Sequence, residues 1–222
     1  MMLIATGLAV ALASAAPAQP APVSLAPVVI TIVESGVPAA VVSRLLEETD
    51  AVWRTGGVSF QWQRGAREAA SLPPGADMGP WLPASRLRVI IGNDTGVSRD
   101  HRTPLGWIVF DAENTPQQEI YLSYRNAWSL MAASGAVVGS LNQMPVLRRQ
   151  ILLARAMGRA LAHEIAHYLL ASKVHTRRGL LRASRTASEL FSNDRAGFRI
   201  DTTQRQQIAA AQRLRGWETQ RR

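Results

Sequence analysis

The chain has 222 residues, a formal net charge of +9 and no cysteine, and 47% of its residues are hydrophobic. That length and apolar content provide for one core of ordinary size, while the missing cysteines exclude disulfides and thiolate metal sites and leave His, Asp and Glu as metal ligands. The body of the chain has no apolar run of about 18 residues, which excludes an internal membrane-spanning helix.

Residues 1–16 form a weakly apolar segment that leads into small residues and prolines, "ASAAPAQPAP". This pattern reads as a secretory signal with cleavage after Ala15 or Ala18, although it lacks a basic n-region. The expected organisation is a leader over 1–18, an Ala/Pro-rich linker over 19–27 and one domain over 28–222, with the mature protein secreted or periplasmic.

"VVITIV" (28–33) is a β-branched run suited to a buried strand. Val37-Pro38 then opens a helix with Val41, Val42, Leu45, Leu46, Thr49, Val52 and Trp53 at helical spacing, closed by Gly56-Gly57. "VSFQW" (58–62) and "LRVIIG" (87–92) read as strands around a Pro/Gly-rich loop. Residues 93–104 are polar and irregular, "LGWIVF" (105–110) reads as another strand, and residues 118–124 alternate as a half-exposed strand at a sheet edge. A helix or pair of turns covers 126–139.

The longest helical pattern runs over 145–171, with Leu147, Ile151, Ala154, Gly158, Leu161, Ile165 and Tyr168 on one stripe and Pro145 at its start. A turn-rich piece, a short helix over 186–192, and a last helix capped by Thr203 with Gln206 and ending near Gly216 complete the chain. This order of elements predicts an α+β fold.

Inside the long helix lies "LAHEIAHYLL", which carries two of the chain's four histidines. His163 and His167 stand one turn apart, away from the Leu161–Ile165–Tyr168 stripe, so their ring nitrogens can converge on one ion. An i, i+4 imidazole pair on a rigid helix supplies two corners of a zinc tetrahedron. Glu164 is rotated away from the pair toward the ion's open position, where it can serve as general base for a metal-activated water. Two residues are candidates for third ligand: His175, eight positions past His167 across a short turn, and Glu189, 22 positions past it on the short downstream helix. Imidazole ligation and the shorter loop favour His175.

The stretch 160–183, "ALAHEIAHYLLASKVHTRRGLLRA", resembles the active-site segment of an uncharacterised group of secreted bacterial zincin-type metalloproteases. Their pattern is H-E-x-x-H, a small residue four positions on, a third His and then G-L-M-R-A. The stretch is more distantly similar to the metzincins, whose third ligand is a His after a Gly-mediated turn and whose metal floor is a methionine turn. The resemblance implies His163, His167 and His175 as ligands of Zn2+ and Glu164 as the base. It departs from the pattern at Ala171, where Gly would ease a left-handed turn, at Leu181, which replaces the methionine, and in a spacing from His167 to His175 that is two residues longer than in metzincins.

His101 is a lone loop histidine that can serve as an auxiliary donor, Asp194 a residue that can orient an imidazole or cap a turn, and the six tryptophans core or rim residues. The expected architecture is zincin-like: a twisted mixed β-sheet, an active-site helix and a small helical C-terminal part. As the resemblance implies, an extended peptide pairs with the edge strand beside the metal, expected at 118–124.

The expected function is a secreted zinc-dependent peptidase acting on a peptide or protein substrate. Two other readings accompany it. One is a catalytically inactive metal-binding or scaffold protein of the same fold, to which the Ala171 and Leu181 departures point. The other is a basic envelope or nucleic-acid-associated module. The basic residues, all but one of them Arg, are scattered without a nucleic-acid motif, so neither nucleic acid nor a stable membrane span is expected.

Overall fold

The computed structural model describes residues 28–65, 87–96 and 103–220. The expected leader and linker lie outside them, as do His101 and Trp81. Among the described residues no helix is long and apolar enough to cross a membrane.

The β-branched run forms strand β1 (Val28–Glu34). The turn after it reaches Pro38, whose fixed φ of −59° suits the start of a helix and whose carbonyl accepts from Val41 N at 2.8 Å and Val42 N at 3.2 Å. Helix α1 (Ala39–Arg54) follows, burying Val41, Val42, Leu45, Val52 and Trp53, and leads to β2 (Phe60–Arg64). β3 (Leu87–Gly92), β4 (Gly106–Phe110) and β5 (Pro116–Ser123) complete a five-stranded sheet in the order β2-β1-β3-β5-β4. Among the described residues only β4 runs antiparallel to its neighbour, so the sheet is mixed, and the architecture is α+β as expected.

Alternation decides the two faces of the sheet. Ile30 and Ile32, Leu87, Val89 and Ile91, and Ile120 and Leu122 share one face and are buried. The other face carries an ion pair and an aromatic stack: Arg88 meets Glu119 at 2.7 Å, and Trp107 stacks on Tyr121 with ring centroids 5.4 Å apart. The half-exposed pattern of 118–124 therefore reports a two-faced sheet and not an edge position. β5 sits between β3 and β4, and the edge beside it is β4, which corrects the expected edge strand.

Helices α2 (Tyr124–Ala133) and α3 (Gly135–Val138) lead to α4 (Val146–Leu170), which contacts α1, α2, α5, α6, β4 and β5. Being enclosed on several sides, α4 buries far more than the predicted stripe, while Leu147 in its first turn, placed on that stripe by periodicity, is 54% exposed. α1 and α4 cross where Gly158 removes a side chain. A methyl there would lie 2.7 Å from Leu45 O and 2.8 Å from Glu48 Cβ. Thr49 Oγ1 donates to Gly158 O at 3.1 Å and Trp53 Nε1 to Ala162 O at 3.3 Å, fixing the rotation of α4 against α1. The chain ends with α5 (Ala187–Phe191) and α6 (Thr202–Gln220). At the start of α6, Gln204 N donates to Asp201 Oδ1 at 2.7 Å and Asp201 N to Gln204 Oε1 at 3.3 Å. The capping exchange thus falls two residues before the predicted Thr203–Gln206 pair, because Asp is the better N-cap, and the helix continues past Gly216.

Candidate metal centre

His163 and His167 project from successive turns of α4, and each ring is held from behind by a carbonyl. His163 Nδ1 donates to Leu180 O at 2.8 Å and His167 Nδ1 to Ser172 O at 2.6 Å. A carbonyl only accepts, so in both neutral rings the proton is on Nδ1 and Nε2 carries a lone pair. The two Nε2 atoms are 3.0 Å apart. His175 joins them: one ring nitrogen from each of the three histidines lies within 4.8 Å of the others.

Burial foremost, and then neighbouring His167, depress the His163 pKa to about 3. Burial likewise lowers His167 and His175, so the rings are neutral, which is the ligating form.

Glu164 turns the other way, toward β4. Its Cγ lies 3.4 Å from where a Cβ on Gly106 would stand, and Leu122 Cδ2 lies only 2.7 Å from that point, so glycine lets the edge strand close over the helix. Burial raises the Glu164 carboxyl to about 8, partly offset by the Ile108 backbone.

The turn after α4 aims the His167 ring. Ala171 adopts the left-handed conformation (φ 46°, ψ 46°), its N–H reaching Tyr168 O while Ser172 N donates to His167 O, both at 3.2 Å. This is the Schellman arrangement usually built on Gly. It also presents the Ser172 carbonyl to the His167 ring. Replacing Ala171 by Gly is expected to preserve the turn and raise stability by about 0.5–1 kcal/mol, since the relieved left-handed strain exceeds the added unfolded-state entropy. Urea unfolding of the metal-free proteins measures it, and a loss of stability would show that Ala171 is unstrained.

Further along, Lys173 Nζ donates to Asn114 Oδ1 at 2.7 Å and tethers the His175 loop to the β4–β5 hairpin, where Asn114 is itself left-handed. Thr176 N donates to Leu181 O at 3.0 Å, closing the loop onto the 179–183 turn. In that turn Leu181, which stands where the pattern has methionine, is buried, and Gly179 holds φ at 74°.

Glu189 does not join the histidines. Its Oε2 accepts from Thr186 N at 2.9 Å, forming the capping box of α5, and from Arg182 Nη2. Asp194 caps a turn through Ala196 N at 2.8 Å; the imidazole-orienting groups are main-chain carbonyls instead. Trp53 lies in the core, while Trp128 at the rim lies beneath Arg149.

Arg159, one turn before His163, went unnoticed in the sequence. Its side chain is fully buried, with Nε donating to Glu48 Oε1 at 2.9 Å, Nη1 to the Glu189 and Leu190 carbonyls, and Nη2 to Ser192 O at 2.8 Å and Asp194 O at 2.9 Å. It ties α1, α4 and the C-terminal segment together. A charged residue within an apolar helix was the available signal. Asn126, a buried and uncharged amide, also went unnoticed: its Nδ2 donates to Thr95 O and Pro104 O, both at 2.8 Å, clamping the chain that leads into β4.

These elements enclose a cleft of about 730 Å³ whose lining includes Gly106, His163, Glu164, His175, Arg182 and Arg185.

No family model and no curated protein matches the chain. Among solved structures it is similar to archaemetzincin from Methanopyrus kandleri, with 14% sequence identity, a TM-score of 0.47, and coverage of 84% of this chain and 96% of that one.

Proposed function

We propose that the protein is a zinc-dependent peptidase, with His163, His167 and His175 as ligands and Glu164 as general base. One observation carries the reading: two imidazoles whose Nδ1 protons are committed to carbonyls face each other with bare Nε2 atoms at 3.0 Å. Two lone pairs at that distance repel unless a cation is shared between them. A third neutral imidazole at the same point and the absence of cysteine make the donor set one that suits zinc.

Zinc held there supplies Lewis acidity that brings the ionisation of water into the neutral range. The chain's own groups do the rest. The Leu180 and Ser172 carbonyls fix ring orientation and tautomer. A Glu164 carboxylate oxygen accepts a proton from the attacking water and returns it to the leaving amine. β4, the sheet edge whose Gly106 lines the cleft, offers main-chain groups to an extended peptide. The apolar surroundings of Glu164 keep bulk water from competing for its proton. The leader places this activity outside the cytoplasm in the same reading.

Purified protein is expected to hold about one zinc per chain and to cleave peptides only while loaded. His175→Ala should weaken zinc binding by about 100-fold or more, beyond the loss of an outer hydrogen-bond partner, and Glu189→Gln should leave it intact, read by competition with a chelating dye. The reverse pattern would restore Glu189 as third ligand. Stoichiometric zinc without cleavage of a broad peptide library would make the protein a metal-binding scaffold.

A further inference from the structure

The proposed peptidase site opens onto a wall of guanidinium groups. Among the charged residues lining the cleft, Arg159, Arg182 and Arg185 face one acid, Glu164. Around that wall four guanidiniums share two carboxylates: Glu48 serves Arg159 and Arg195, and Glu189 serves Arg182 and Arg185.

The three lining arginines differ in what they have left to give. An Arg carries five N–H donors. All of those on Arg159 are taken by Glu48 and four carbonyls, so it is structural. Arg185 is 9% exposed, packs over the Phe198 ring at 4.3 Å and donates to Gly179 O. Arg182 is 33% exposed, and among the described residues it donates Nε to Ser184 O at 2.8 Å and Nη2 to Glu189. These bonds, with the backbone bridge between Thr176 and Arg182 next to His175 in the chain, fix Arg182 at the cleft that His175 also lines, with a third of its side chain exposed.

The geometry points to a substrate bearing a carboxylate next to the scissile bond, with Arg182 as the specificity-determining residue and Arg185 reinforcing its field. The inference rests on the peptidase reading for the identity of the bond cleaved. A planar carboxylate matches the guanidinium fork, and the net positive wall lowers the penalty of desolvating it. That carboxylate comes either from an Asp or Glu side chain or from the free C-terminus of a peptide ending one residue past the cut.

The test uses zinc-loaded full-length protein and two peptide pairs. One pair places Glu or Gln after the cleaved bond with the C-terminus amidated. The other ends one residue after it with a free or an amidated terminus. One pair is expected to show a preference in kcat/KM of about 10- to 100-fold for the carboxylate member, the scale of a charge-assisted hydrogen bond, and which pair does so identifies the source. The ratio should fall to about one in Arg182→Gln, carried mainly by KM, and recover in part in Arg182→Lys. A ratio near one in the wild type, or one unchanged in Arg182→Gln, would overturn the inference.

If no peptide is cleaved, the peptidase reading fails separately. Fluorescence anisotropy of the same labelled peptides on Glu164→Gln protein, with and without Arg182→Gln, then decides: tighter binding of the carboxylate member that depends on Arg182 upholds the inference, and equal binding of both members overturns it.

Discussion

Glu164→Gln is expected to leave zinc bound and to reduce peptide hydrolysis by about 10²- to 10⁴-fold, the usual contribution of a positioned general base. The substitution is nearly isosteric, and the ring nitrogens of His163, His167 and His175 converge without help from the carboxylate, so metal content and proton transfer separate cleanly. Zinc analysis alongside turnover checks this, and full turnover in the variant would remove Glu164 from the mechanism.

Metal-free protein offers a second readout. The Glu164 carboxyl is raised by burial from 4.5 to about 8. A folded state that holds a proton more tightly than the unfolded chain loses stability as pH rises from the unfolded value through the folded one. Native protein should therefore weaken between about pH 4.5 and pH 8 through this group, and Glu164→Gln should flatten that part of the profile. A gain in stability at alkaline pH together with lost activity is what a functional carboxyl held in an unfavourable place predicts.

Arg159→Met is expected to destabilise the fold by about 3–5 kcal/mol, as does removing one member of a buried ion pair. Arg159 is fully buried and joins Glu48 of α1 to the carbonyls of 189–194. Its loss leaves those carbonyls without their donor and Glu48, 6% exposed, with Arg195 alone. Arg159→Lys should recover only a fraction, because an ammonium cannot span five acceptors. Since His163 lies one turn further along α4, zinc affinity should fall with stability. Urea denaturation with dye competition for zinc measures both; a change below about 1 kcal/mol would mean that α1 and the C-terminal segment hold without this hub.

Periodicity and punctuation made the elements readable. β3 falls on 87–92 as predicted, and α4 spans all but the end residues of 145–171, since a run of β-branched residues and a long pattern between Pro145 and the polar 172–178 loop each permit few alternatives. The i, i+4 pair His163–His167 was likewise a local matter of helix geometry. Strand order was not legible: alternation in 118–124 follows from a solvated sheet face, which an interior strand such as β5 shares with an edge strand. Nor was the stripe on α4, because a helix packed on several sides has no single polar face.

By itself the sequence determined the histidine helix, its carboxylate and the exclusion of thiolate ligands, all set within one or two turns of chain or by composition. Only the tertiary structure placed His175, and not Glu189, with the other two histidines, made β4 the edge, and gathered Arg159, Arg182 and Arg185 along one cleft. These outcomes depend on which carbonyls and carboxylates meet across turns and between elements. The Ser172 and Leu180 carbonyls orient two rings, and the Thr186 cap with Arg182 engages Glu189 away from the histidines. The Leu180–His163 contact spans 17 residues and Arg159 reaches Glu48 across 111, and only packing brings such partners within hydrogen-bond reach.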